Sequence, residues 1–202
     1  MKAPFLSTFY NSKMSLDIEL LKGYTLTPAK PRLIMEYLER KNLIGYFKTI
    51  DDWEPFDRKD FYIAHTREMV DNFFDKGKTS RILNIKWSPE YAESVRYENA
   101  SLYYAIYHSI LHPEEVCFSP SSSFHHANPT RGALFCAFSG QVIASMKVYN
   151  EFGVCGAYID LDGHYGNSID NSRDFVPNID KAISPVCGNI NIMASHQKYL
   201  EE

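Results

Sequence analysis

Apolar and polar positions along the chain fall into two rhythms, short apolar runs and helical stripes. The run at residues 4–10 (PFLSTFY) predicts a first strand. From about Pro28 to Leu43 the apolar residues Leu33, Ile34, Tyr37 and Leu38 recur at helical spacing. Pro28 and Pro31 sit near the start of that stripe, where proline is tolerated. Residues 45–50 read as a short strand, and residues 67–74 as a helix ending near Gly77. The clearest helix starts at Ser88 and Pro89, because serine caps free backbone donors and proline suits the first turn. Val95, Leu102, Ile106 and Ile110 follow at helical spacing, and Pro113 stops the helix. Residues 115–119 (EVCFS) predict a buried strand. After a polar loop, residues 140–149 form a helix with Val142, Ile143 and Met146 on one face, ended by Gly153. Residues 154–160 (VCGAYID) predict a second buried strand.

Strands that alternate with helices predict an α/β fold with a mainly parallel sheet flanked by helices. In such sheets ligands bind at the carboxyl ends of strands. That rule marks the loop after Ser119 and the segment after Ile159, the two places richest in polar chemistry. Residues 167–183 are polar and show no next strand. Ser195 is placed to cap a last helix, and the chain stops soon afterwards. The expectation is one domain over residues 1–202, truncated at its C-terminal end.

Composition narrows the classes. Hydrophobic content of 45% and charged content of 23% are ordinary for a globular chain. A net charge of -4 argues against direct nucleic-acid binding, which favours a basic surface. No apolar run is long enough for a membrane span. The cysteines Cys117, Cys136, Cys155 and Cys187 are widely spaced, which predicts buried thiols in a reduced, cytoplasmic protein.

The densest chemistry is Asp160-Leu161-Asp162-Gly163-His164-Tyr165-Gly166. Alternate residues of an extended segment share a face, so Asp160, Asp162 and His164 are expected to converge. Carboxylate and imidazole suit a divalent metal such as zinc. Gly163 and Gly166 are expected to let the backbone turn tightly. The second signal is Ser123-Phe124-His125-His126-Ala127, in which one imidazole is a candidate general base.

Together these motifs resemble the histone deacetylase family of the arginase–deacetylase superfamily. That family shows His-His-Ala, then Phe-Cys, then Asp-x-Asp-x-His. Here those stand as His125-His126-Ala127, Phe135-Cys136 and Asp160-x-Asp162-x-His164. Lys30-Pro31-Arg32 and residues 63–74 are similar to further family segments. The resemblance implies an arginase–deacetylase-like fold and zinc-dependent hydrolysis of an acetyl amide on a lysine or other amine. It implies that Asp162 and His164 are zinc ligands and that His126 is the base. It further implies that Asp160 supports His125, that Phe135 lines the substrate tunnel, and that potassium shares the Asp160–His164 segment. The family's third zinc ligand and its catalytic tyrosine lie well downstream of His164, and no residue here matches either. A missing C-terminal portion or a second polypeptide is therefore expected to complete the site. The competing expectation is a catalytically inactive interaction module with the same fold. Phe124 departs from a family glycine and Tyr165 from a frequent second histidine.

Overall fold

The computed structural model describes residues 5–77, 84–185 and 189–191. Its centre is a three-stranded parallel sheet in the order β2-β1-β3, formed by β1 (Leu6–Phe9), β2 (Phe47–Ile50) and β3 (Val116–Phe118). Leu6 pairs with Phe47 on one side and Val116 on the other. In the central strand Ser7, Thr8 and Phe9 are buried, as expected for a parallel strand covered on both faces. Parallel pairing requires long crossovers, and helices supply them. Helix α1 (Lys30–Arg40) leads from β1 to β2. Helices α2 (Arg58–Phe61), α3 (Arg67–Lys76) and α4 (Pro89–Leu111) lead from β2 to β3.

The ends of these helices follow from capping chemistry. The Ser88 hydroxyl accepts the Tyr91 N–H at 3.1 Å, and Pro89 opens α4. The Thr66 hydroxyl caps α3, which ends on Gly77 in the left-handed region at φ 59°. Helix α1 starts later than expected, after a 3-10 turn over Thr27–Ala29 that contains Pro28. It also stops earlier, because Asn42 turns left-handed at φ 55°.

Helix α4 lies against β1 and β3 and packs on α5 (Gly140–Phe152), so it is covered on several sides. Around it sits an aromatic core in which Phe61, Phe73 and Phe74 surround Phe138 with centroid separations of 4.6 to 5.8 Å. Lys147 of α5 bonds the buried Asp60 of α2 at 2.8 Å and lies over the Phe56 and Tyr103 rings. Among the described residues no helix is long and apolar enough to cross a membrane.

Two expectations need correction, and one region without an expected strand gains helices that the sequence did not show. Residues 154–160 do not form a long buried strand: β4 covers only Tyr158–Asp160, Ile159 is exposed, and its described partner is β5 (Asn189–Asn191). A run of apolar letters too short to show a period did not separate a core strand from an edge segment. Residues 167–183 hold two short helices, α6 (Ser168–Ser172) and α7 (Ile179–Ala182), which pack on α5 through Ile169, Ile179 and Ala182. The cysteines are not uniformly buried: Cys136 is, Cys117 is half-buried and Cys155 is exposed. Cys187 and the helix expected after Ser195 lie outside the described residues.

Candidate active site

Two loops at the carboxyl ends of β3 and β4 build one cavity of about 480 Å³. His125, His126, Phe135, Asp160, Asp162 and His164 all line it.

The first loop is fixed from below. The Ser168 N–H donates to the His125 carbonyl at 2.9 Å, joining it to α6. His65 fixes its far side, bonding the Asn128 carbonyl through Nδ1 at 2.9 Å and accepting the Ser139 N–H on Nε2 at 2.9 Å. Between these anchors Ala133 and Cys136 exchange backbone hydrogen bonds around Leu134 and Phe135. Both central residues have positive φ, 43° and 72°. A tight turn of this hand favours glycine, so two bulky residues store backbone strain of about 1–3 kcal/mol each. The turn leaves both side chains partly exposed along the cavity wall.

The two imidazoles lie side by side with centroids 4.0 Å apart. His125 Nδ1 is 2.7 Å from Asp160 Oδ2, and His126 Nδ1 is 3.0 Å from Asn167 Oδ1. In a neutral ring with Nδ1–H donating to such an oxygen, Nε2 keeps the lone pair. Burial is the largest influence on His126 and pushes it below the ordinary histidine value, against the raising effect of Asn167. Sequence reasoning missed Asn167. Its only signal was its place directly after Gly166.

The second loop converges by a different route from simple strand alternation. Residues 162–164 are bends, not extended backbone. Side chains hold the path instead: Asp160 Oδ1 accepts the Asp162 N–H at 3.0 Å, and Asp162 Oδ1 accepts the His164 N–H at 2.8 Å. Gly166 is needed for space and not for a left-handed turn, because a Cβ there would run into the Asp160 carboxylate and the His125 ring. Phe124 is accommodated in a related way. Its ring occupies the space beside Gly140, where any side chain would collide with it.

Asp162 Oδ1 lies 3.0 Å from His164 Nδ1. A tetrahedral zinc ion with bonds near 2.0 Å spaces its ligand atoms by roughly 3.3 Å, so this oxygen–nitrogen pair fits two corners. Burial opposes ionisation of Asp162, but the backbone N–H and ring of His164 outweigh it and hold the carboxyl below its ordinary value. Among the described residues no third histidine, cysteine, aspartate or glutamate forms a cluster with this pair. Asp170 and Asp180 are instead engaged with Arg173.

The chain matches the histone deacetylase domain over residues 24–179, and it belongs to that family. Among solved structures it is similar to the HDA15 HD domain, with a TM-score of 0.65 and 16% identity. The alignment covers 84% of this chain and 50% of that one, so the chain spans about half the length of that structure. At this identity the likeness concerns the fold. No curated protein sequence matches the chain.

Proposed function

We propose that this chain carries the acid–base machinery and two metal ligands of a zinc-dependent deacetylase acting on acetylated lysine or another acetylated amine. The observation that carries the reading is one cavity containing the His125–Asp160 and His126–Asn167 pairs beside the Asp162–His164 donor pair.

In this reading Asp162 and His164 hold the ion, which when bound polarises the amide carbonyl and makes water more acidic. His126, kept neutral by burial, takes the proton of the attacking water at its free nitrogen and later returns a proton to the leaving amine. His125, held by Asp160 at 2.7 Å, faces the same cavity and stabilises negative charge as it develops. Phe135, Leu134 and Phe124 give the cavity an apolar wall suited to a methylene stem. The described lining contains no tyrosine to donate to the oxyanion. The third ligand and that donor come from outside the described residues, either from the rest of the sequence or from a second polypeptide. The Asp160–His164 segment is also the proposed contributor of oxygens to potassium.

The test measures acetate release from an acetyl-lysine peptide at saturating zinc, together with zinc affinity. With only two protein ligands in the described site, zinc should bind weakly and release should be slow. His126→Ala should lower release by about 100-fold or more while leaving zinc affinity unchanged. Asp162→Asn should weaken zinc binding. Equal release by the parent and His126→Ala would remove the proposed base. Zinc affinity unaffected by Asp162→Asn would remove the proposed ligand.

A further inference from the structure

A different set of metal-ligating side chains lies at the opposite end of the sheet. Helix α4 runs antiparallel to β1: Ser101, in its middle, bonds the Phe9 carbonyl near the carboxyl end of β1. Its last turn therefore reaches the amino ends of β1 and β3, away from the cavity. There His108 and His112, one helical turn apart, meet Glu115 from the start of β3. Their ligand atoms all lie within 4.8 Å of one another.

The backbone fixes this grouping. The His112 N–H donates to the His108 carbonyl at 2.8 Å, and the Glu115 N–H donates to the His112 carbonyl at 2.9 Å. The side chains are oriented too. His108 packs edge-on against Phe9 at 5.4 Å, and the His112 ring lies 4.4 Å from the His108 ring. Glu115 Oε2 is 3.0 Å from His108 Nε2 and also accepts the Ser7 hydroxyl. A histidine beside a glutamate at a helix end needs no ion to explain it. The additional feature here is the third donor, His112, which is half-exposed, lies beside the His108 ring and has its Nδ1 3.9 Å from the Glu114 carboxylate.

We infer that His108, His112 and Glu115 form a site for a divalent transition-metal ion of the zinc class. Two imidazole nitrogens and one carboxylate oxygen suit such an ion and not calcium or magnesium, which take oxygen ligands. Tetrahedral zinc spaces its ligand atoms by roughly 3.3 Å, so a small rotation of His112 closes the set. The exposed side leaves a fourth position for water. The bound ion fastens the end of α4 to β3, and through Ser7 to β1, which makes it a clamp on the scaffold.

The test must be blind to ions held in the cavity. The full chain carrying Asp162→Asn and His164→Gln is stripped with a chelator and titrated with Zn²⁺ by calorimetry and with Co²⁺ by visible absorption. One ion per chain should bind, and zinc should raise the melting temperature. Adding His112→Gln should weaken binding by more than about tenfold, since even the loss of a group behind a ligand costs 10–100-fold. His112 sits at a solvent-facing helix end, so circular dichroism should show an unchanged fold. The inference is overturned if the parent binds no ion, or if His112→Gln binds zinc as its parent does. Neither result bears on the proposed deacetylase residues.

Discussion

Burial sets the direction in which His126 titrates, and Asn167 opposes it more weakly. Its amide oxygen orients the ring at 3.0 Å but adds no charge, so burial prevails and the ring stays neutral. Neutrality is the state a general base needs. An aspartate in the same place would favour the imidazolium, because an opposite charge at hydrogen-bond distance shifts a titration by about 1 unit or more. The variant Asn167→Asp should therefore raise the His126 midpoint, followed through the ring proton by NMR on zinc-free chain. An unchanged midpoint would mean that residue 167 does not bond the ring. The rest of the site was legible to differing degrees. Adjacent histidines and the Asp160–His164 run are each ambiguous alone, and they stand out because both occur in one chain, in the order the family resemblance requires. What held them together was not legible. Asn167 is an ordinary amide in a polar loop, and Phe124 fits only because Gly140, distant in sequence, leaves room.

Helix α4 shows what periodicity reveals and what it hides. Its cap and stop are written in Ser88, Pro89 and Pro113, so its extent could be read almost directly. Its burial could not, because a helix covered on several sides has no single apolar face. Ser94, Glu98, Asn99 and Ser101 are all buried on it. Burial pushes Glu98 up to about 8, although the Ser122 hydroxyl and the Lys30 charge favour its ionised form. The folded value lies above the ordinary 4.5, so between these limits the folded chain keeps a proton that the unfolded chain has lost. Stability from this group is full below about 4.5 and falls, by up to about 1.4 kcal/mol per pH unit, as pH rises toward 8. Replacing Glu98 with Gln should remove that slope. Urea unfolding at pH 5 and 7.5 should show the variant gaining on the parent by up to about 3 kcal/mol between the two conditions. An equal difference at both values would show that the carboxyl ionises alike in the folded and unfolded chain. Elsewhere short elements escaped the sequence: β4 is shorter and more exposed than its apolar run suggests, and α6 and α7 have too few residues to display a period.

For the molecule as a whole, the walls of the cavity and the core behind it share one buried histidine. His65 accepts the Ser139 N–H on Nε2, so its proton sits on Nδ1 and goes to the Asn128 carbonyl. The ring is neutral, packed edge-on against Phe138 at 5.1 Å, and burial pushes it down to about 3. Here the folded value lies below the ordinary 6.5, so on acidification the unfolded chain binds the proton first. This contribution is complete above about 6.5 and is lost as pH falls toward 3, the reverse of Glu98. Between about 4.5 and 6.5 the two slopes oppose each other, one proton against one. Their joint contribution should therefore form a plateau there, declining toward acid through His65 and toward alkali through Glu98. In Glu98→Gln the plateau should become a rise that continues to about pH 6.5, and in the parent the His65 ring signal should stay in its neutral form down to about pH 4. Loss of the Ser139 bond on protonation should also speed exchange of that amide first, because its acceptor is His65 Nε2, the nitrogen that takes the proton. A His65 ring that titrates near its ordinary value in the folded chain would detach the cavity wall from the core and end this account of acid sensitivity.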